Sequence, residues 1–470
     1  MKLHKRLLHI FSVQGMVREQ CILSDLPETK RVYGDFLKIA WPSTLEAILV
    51  SLVGIINTIM VSSLGEKAIV AVGITNQPKY ILLAIIMSLN VGVTAIIARR
   101  KGQNDRDGAN HTLRVSILIS ITISALMAFL GFVFASPILK LAGAEASYMQ
   151  YAVDYFRILM ISIFFTSLSL TINAAQRGSG NTKISMQTNI AANIINIIFN
   201  YLLINGIGFF PRLEVKGAAI AATLGSIVAC LMSIIKLLNK DGFVSLRYKS
   251  SWKISKTIFN PIIKVSSSAL AEQVFMRIGF LIFAAFIARL GTTNYATHLI
   301  CLNILNISFS FGDGIAIATT SLVGQNLGKS RSDLAIIYGN VGQRIAFVIS
   351  IMISIFFIIF RFDLMALFSN DPRVITLGSH ILIIIAITTY AQTSQVVMSG
   401  CLRGAGDAVF VASASLISTA IIRPILTYVL CFSVGLGLYG AWIALLLDQG
   451  FRCIANFKRF SGGKWSNIIL

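Results

Sequence analysis

The chain has 470 residues, 56% of them hydrophobic and only 13% charged, with a mean hydropathy of +0.78. A soluble domain carries about a quarter charged residues, so the composition excludes one and points to an integral membrane protein. Lys and Arg number 40 against 19 Asp and Glu, a formal charge of +21; such an excess suggests nucleic acid only in a soluble chain, and here its placement along the sequence decides its meaning.

In chain order, the first 35 residues are basic. Their apolar run from Leu7 to Val13 is short, is followed by Gln14, Arg18 and Glu19, and lacks a small-residue cleavage pattern. That is not a signal peptide; it predicts a basic amphipathic segment lying on the inner membrane face. About 20 apolar residues cross a hydrocarbon core of roughly 30 Å. Spans are predicted at 41–63, 72–97, 113–136, 150–173, 184–208 and 217–238, then at 263–288, 295–322, 335–360, 376–400, 409–433 and 438–457. The expected organisation is an N-terminal segment (1–35), an N-lobe of six spans (36–240), a linker (241–262), a C-lobe of six spans (263–457) and a tail (458–470). The fold class is an all-α membrane protein of twelve helices.

Most basic residues fall in the N-terminal segment, the loop after span two, the linker and the matching ends of the later spans. By the positive-inside rule both termini and the linker are cytoplasmic, and the chain crosses the plasma (inner) membrane. The net charge is then a signal of topology, with no nucleic acid implied.

The two halves repeat one another. Glu46 recurs as Glu272, an offset of 226, and the same offset relates Leu64-Gly65 to Leu290-Gly291, Thr94 to Thr320, Gly102 to Gly328 and Asp107 to Asp333. Arg177-Gly178-Ser179-Gly180 returns as Arg403-Gly404-Ala405-Gly406. An even number of spans per half makes the repeats parallel, related by a pseudo-twofold axis along the membrane normal, a pattern of secondary transporters.

The chemistry lies in polar groups placed where lipid is expected. A mid-span carboxylate costs at least ~2.5 kcal/mol on insertion scales, so it faces a cavity or a partner. Glu46 follows Trp41-Pro42 in span one; Glu272 stands at the equivalent place in span seven, beside Gln273 and five residues before Arg277. The expectation is that both carboxylates face one central cleft. Burial disfavours the charged form, which allows cation binding to be coupled to transport. Further intramembrane polar residues are Asn57, Asn303, Asn306, Asp313, Gln392 and Gln395. Asn189, Asn193, Asn196 and Asn200 form a stripe suited to joining helices. Arg423, Asp448 and Arg452 have the placement of an intramembrane ion pair with a structural role. The six cysteines form no Cys-x-x-Cys pair, and His4, His9, His111, His298 and His380 show no catalytic or ligand spacing. No enzyme activity and no cofactor are expected.

Three stretches carry a family resemblance: Asn57-Thr58-Ile59-Met60 with Leu64-Gly65; Leu322-Val323-Gly324-Gln325-Asn326-Leu327-Gly328; and Gln395-Val396-Val397 through Gly400, Leu402-Arg403-Gly404 and Asp407. In order and spacing they resemble the multidrug and toxic compound extrusion (MATE) transporters of the multidrug/oligosaccharidyl-lipid/polysaccharide flippase superfamily, over roughly residues 35–460. The resemblance implies a two-lobed antiporter exporting small organic cations or amphipathic drugs against inward Na⁺ or H⁺, acting here as a monomer. It also implies that Glu272 is the cation-coupling carboxylate and a possible Na⁺ ligand. Many relatives carry Asp where this chain has Asn57, and the C-lobe aspartate is replaced by Gln392. Glu46 is therefore expected to serve the N-lobe. The other reading is a lipid-linked precursor flippase, which would need several arginines in its cavity; here only Arg277 and Arg423 are candidates.

Overall fold

The computed structural model describes residues 11–62, 64–208 and 210–468. The basic Lys2, Lys5 and Arg6 of the N-terminal segment lie outside the described residues, as do the side chains of Thr58 and Lys67. The first repeat comprises α1 (Thr29–Ser62), α2 (Glu66–Gly102), α3 (Arg106–Val133), a short α4 (Ala135–Leu141), α5 (Met149–Gly178), α6 (Thr182–Asn205) and α7 (Glu214–Leu237). The second comprises α8 (Lys256–Ala288), α9 (Thr292–Gly328), α10 (Ser332–Ile359), a short α11 (Arg361–Ala366), α12 (Pro372–Ala405), α13 (Ala408–Ser433) and α14 (Gly437–Ser461). Each repeat thus has six long helices in the same order, and the all-α expectation holds.

Several helices outrun the predicted spans. At roughly 1.5 Å per residue, the 37 residues of α9 reach about 55 Å, well beyond a hydrocarbon core. Ten helices of the described chain are long and apolar enough to cross a membrane. The two other long helices are α6, which carries the asparagine stripe, and α14, which buries Asp448, Gln449 and Arg452. Those polar groups lower their hydropathy without shortening them. The short α4 and α11, each following the third long helix of its repeat, had no signal in the span pattern.

The repeat is visible in backbone detail. Gly65 and Gly291, at φ 95° and 102°, start α2 and α9 in a conformation open to glycine and strained for other residues. A side chain on Gly178 would meet the Thr94 carbonyl at 2.7 Å, and one on Gly404 would meet the Thr320 carbonyl. At the same contacts the Thr94 hydroxyl donates to the Ala174 carbonyl at 3.1 Å and the Thr320 hydroxyl to the Gly400 carbonyl at 2.9 Å. Small residues, with hydroxyls that donate across to the neighbouring helix, let the helices approach closely, as membrane interiors favour.

Two compact units emerge from the packing: residues 1–47 with 268–470, and residues 48–267. The unit limits cut α1 and α8 in mid-helix, whereas the sequence reading placed the lobe limits at 36–240 and 263–457. The chain passes from one unit to the other at those two points alone.

In the first unit, Val13, Met16 and Val17 are buried with Val32, Phe36, Ile315, Tyr338 and Val397. Asn340 of α10 donates to the Met16 carbonyl at 2.7 Å, and the Leu23 amide donates to Asp333 at 3.3 Å. The expected amphipathic segment is therefore altered in part: Val13, Met16 and Val17 are spent on protein packing, whereas Ile22 and Leu23 remain exposed. In the second unit the linker does the same to α3. Arg106 donates to the Lys240 and Gly242 carbonyls at 2.9 and 2.8 Å, and the Ser245 amide donates to Asn110 at 2.7 Å. Arg114, the repeat counterpart of Asn340, donates to the Leu246 carbonyl at 3.1 Å. Each repeat's third helix is clasped by the segment that precedes the first helix of the other repeat.

Candidate functional site

Glu272 lies on α8, 4% exposed, and its Oε1 accepts a hydrogen bond from Arg403 Nη2 at 2.6 Å. The Ser415 hydroxyl at the end of the first α-turns of α13 donates to the same oxygen at 3.4 Å. Arg403 belongs to the repeated Arg-Gly-x-Gly at the end of α12. Gly404 packs against the Thr320 carbonyl of α9, and that close approach holds the preceding Arg403 toward α8. Gly406, in the left-handed conformation at φ 89°, then ends the helix. The next residue of the motif, Asp407, is buried and accepts from Arg459 Nε at 2.7 Å. A charge-assisted pair of this length supplies the counter-charge that a buried carboxylate needs.

The remaining predicted residues are distributed as follows. Glu46 is buried on α1, 7% exposed, within the same compact unit as Glu272. Asn57 is half-buried in the other unit and accepts a hydrogen bond from Asn200 Nδ2 at 2.7 Å, so the asparagine stripe joins α6 to α1. Gln392 is fully buried on α12, and neither atom of its amide has a hydrogen-bond partner among the described residues. Gln273 is half-buried; Arg277 and Asn303 are exposed. Among the described residues no hydrogen bond from Gln273, Gln392 or Asn303 reaches the Glu272 carboxylate. Asp313 of α9 is exposed and lies within the field of the Arg403 charge. Among the described residues no group of three or more His, Cys, Asp or Glu could hold a metal ion.

Sequence reasoning missed Arg403 as the partner of Glu272. It counted that arginine among the inner-face basic residues, although its place in a repeated glycine motif was a signal that its direction is fixed. The ion pair foreseen between Arg423 and Asp448 forms, and Arg452 joins it at 3.2 Å.

A bundle of apolar helices with a buried, countered carboxylate is the architecture of a multi-pass membrane transporter. The MatE family profile matches residues 42–202 and again 269–429, once on each repeat, and the chain belongs to that family, the MATE transporters. A curated relative, the "Uncharacterized transporter YisQ" of Bacillus subtilis, is 27% identical over 91% of this chain and 94% of its own. The "Probable multidrug resistance protein NorM" of Thermotoga maritima is 25% identical over 94% of each chain. The "FAD transporter" of Shewanella oneidensis is 27% identical over 72% of this chain and 75% of its own. Among solved structures, an outward-facing multidrug resistance MATE transporter of the MOP superfamily superposes with a TM-score of 0.86. It covers 92% of this chain and 96% of its own at 21% identity, a likeness of fold.

Proposed function

We propose that the chain is a secondary antiporter that exports cationic, amphipathic organic compounds against an inward flow of Na⁺ or H⁺ by alternating access. The observation that carries this reading is the Glu272–Arg403 pair. In the arrangement described, the guanidinium takes the place that a coupling cation or proton would take on the carboxylate. Glu272 needs one positive partner, and Arg403 and the coupling ion exclude each other at Oε1. Binding of the ion releases Arg403, and loss of the ion restores the pair. That exclusivity gives the two states an antiporter requires, each favoured by a different partner.

Within this reading Glu46, Asn57, Gln273, Gln392, Arg277 and Asn303 contribute to the substrate and coupling path, with Glu46 serving the first repeat. Relatives called multidrug resistance proteins support organic substrates. The basic-residue pattern supports cytoplasmic termini in the plasma membrane, and the protein is proposed to work as a monomer. Counterflow in proteoliposomes tests it: uptake of an organic-cation dye should follow an imposed Na⁺ or H⁺ gradient. Gradient-driven movement of an anionic flavin nucleotide in place of the dye would overturn the substrate class.

A further inference from the structure

Arg423 and Asp448 are fully buried between α13 and α14, and Arg452 is 2% exposed beside them. Arg423 Nε donates to Asp448 Oδ2 at 3.1 Å, Arg423 Nη2 donates to the same oxygen, and Arg452 Nη2 reaches it at 3.2 Å. The other carboxylate oxygen is taken by the Ser418 hydroxyl. One carboxylate is thus divided between two guanidinium groups, and the cluster carries one positive charge in excess.

Its spare hydrogen-bonding capacity is mainly on the donor side, three nitrogens against the one Gln449 side-chain oxygen. Arg423 Nη1 and Arg452 Nε are buried without a partner among the described residues. So is the amide of Gln449, which lies three residues before Arg452 and hence on the same face of α14. The Arg423 guanidinium sits 4.5 Å from the Phe280 ring centroid and 5.7 Å from that of Phe283, so its surroundings are apolar on that side. The backbone is irregular at the same place. Leu416–Ile422, which carries Ser418 and leads into Arg423-Pro424, is π-helical, a distortion frequent at functional sites.

A buried excess charge with unused donors is strongly unfavourable without a counter-ion. We propose that this cluster binds a small monovalent inorganic anion, chloride being the probe, against Arg423 Nη1, Arg452 Nε and the Gln449 amide nitrogen. Full burial limits the occupant to a small ion, and the single excess charge sets its valence. The cluster shares no hydrogen-bonding side chain with Glu272, although Ser418 stands only three residues after Ser415 on α13, and its occupancy does not depend on which substrate the protein exports.

Purified full-length protein is melted in sodium chloride and in sodium gluconate at equal sodium and ionic strength. Chloride should raise Tm saturably, as binding to the folded state requires, and bromide should substitute for it. Arg452→Gln removes the excess charge while keeping the Arg423–Asp448 pair, so its Tm should be the same in both salts. A wild-type Tm independent of the anion overturns the proposal, as does an Arg452→Gln variant that keeps the chloride effect. Should that variant fail to fold, bromide-soaked crystals of the wild type decide. An anomalous peak within hydrogen-bond reach of Arg423 Nη1 and Arg452 Nε is expected, and its absence overturns the site.

Discussion

Arg403 and Glu272, 131 positions apart in the chain, meet through a 2.6 Å hydrogen bond on the buried side of α8. Both residues belong to the repeat, their counterparts being Arg177 and Glu46. One consequence concerns stability. Removing the positive partner leaves a buried carboxylate without a counter-charge, so Arg403→Gln should destabilise the protein by about 3–5 kcal/mol. The double variant Arg403→Gln/Glu272→Gln should recover part of that loss. Thermal melting of the two single variants and the double variant in detergent gives the coupling; additive losses would contradict a direct pair.

The close helix approach at Gly404 makes a sharper contrast. A methyl group there meets the Thr320 backbone carbonyl, which cannot swing away, so Gly404→Ala should cost about 1–3 kcal/mol through overpacking. At Gly34, exposed on α1 with nothing within 4 Å of the added carbon, the same substitution should be neutral or stabilising by about 0.5–1 kcal/mol. Melting temperatures of the two variants check the ordering.

Much of this was legible in the sequence because membrane physics is severe. Only helices and closed barrels satisfy every backbone group in lipid, and continuous apolar runs of about 20 residues fit helices, so such runs translate directly into them. The offset of 226 likewise foretold paired backbone features, from Gly65 with Gly291 to Thr94 with Thr320. What the sequence hid depends on side-chain direction and on tertiary packing. Arg403 read as one more inner-face basic residue because nothing local says that it turns toward α8. Val13, Met16 and Val17 have the pattern of a membrane-surface segment, and their burial against Tyr338, together with the nearer Phe36, depends on partners more than 300 residues away, as the Asn340 bond to the Met16 carbonyl illustrates. The π-helical stretch in α13 has no periodicity of its own to announce it.

The N-terminal clasp has a direct test. Asp333 accepts the Leu23 amide at 3.3 Å, and Arg331 donates both to Asp333 at 2.8 Å and to the Asp25 carbonyl at 3.2 Å. Asp333→Ala should loosen residues 11–28 and speed tryptic cleavage after the exposed Arg18 in purified protein. Cleavage as slow as in the wild type would show that the apolar contacts of Met16 and Val17 hold the segment without the aspartate.

Sidedness follows from the basic residues. Lys249 is exposed in the linker between α7 and α8. With the native cysteines replaced, Lys249→Cys should resist a membrane-impermeant thiol reagent in intact cells and react after lysis. Labelling in intact cells would reverse the predicted orientation.

The central claim is that the Glu272 carboxylate exchanges Arg403 for a coupling cation, and Glu272→Gln tests it most directly. The amide keeps the shape of the side chain and removes its charge. In proteoliposomes loaded with an organic-cation dye, the variant should insert and elute like the wild type yet show no efflux driven by an Na⁺ or H⁺ gradient. Wild-type gradient-driven efflux by Glu272→Gln would contradict the account and leave the Glu272–Arg403 pair a purely structural tie.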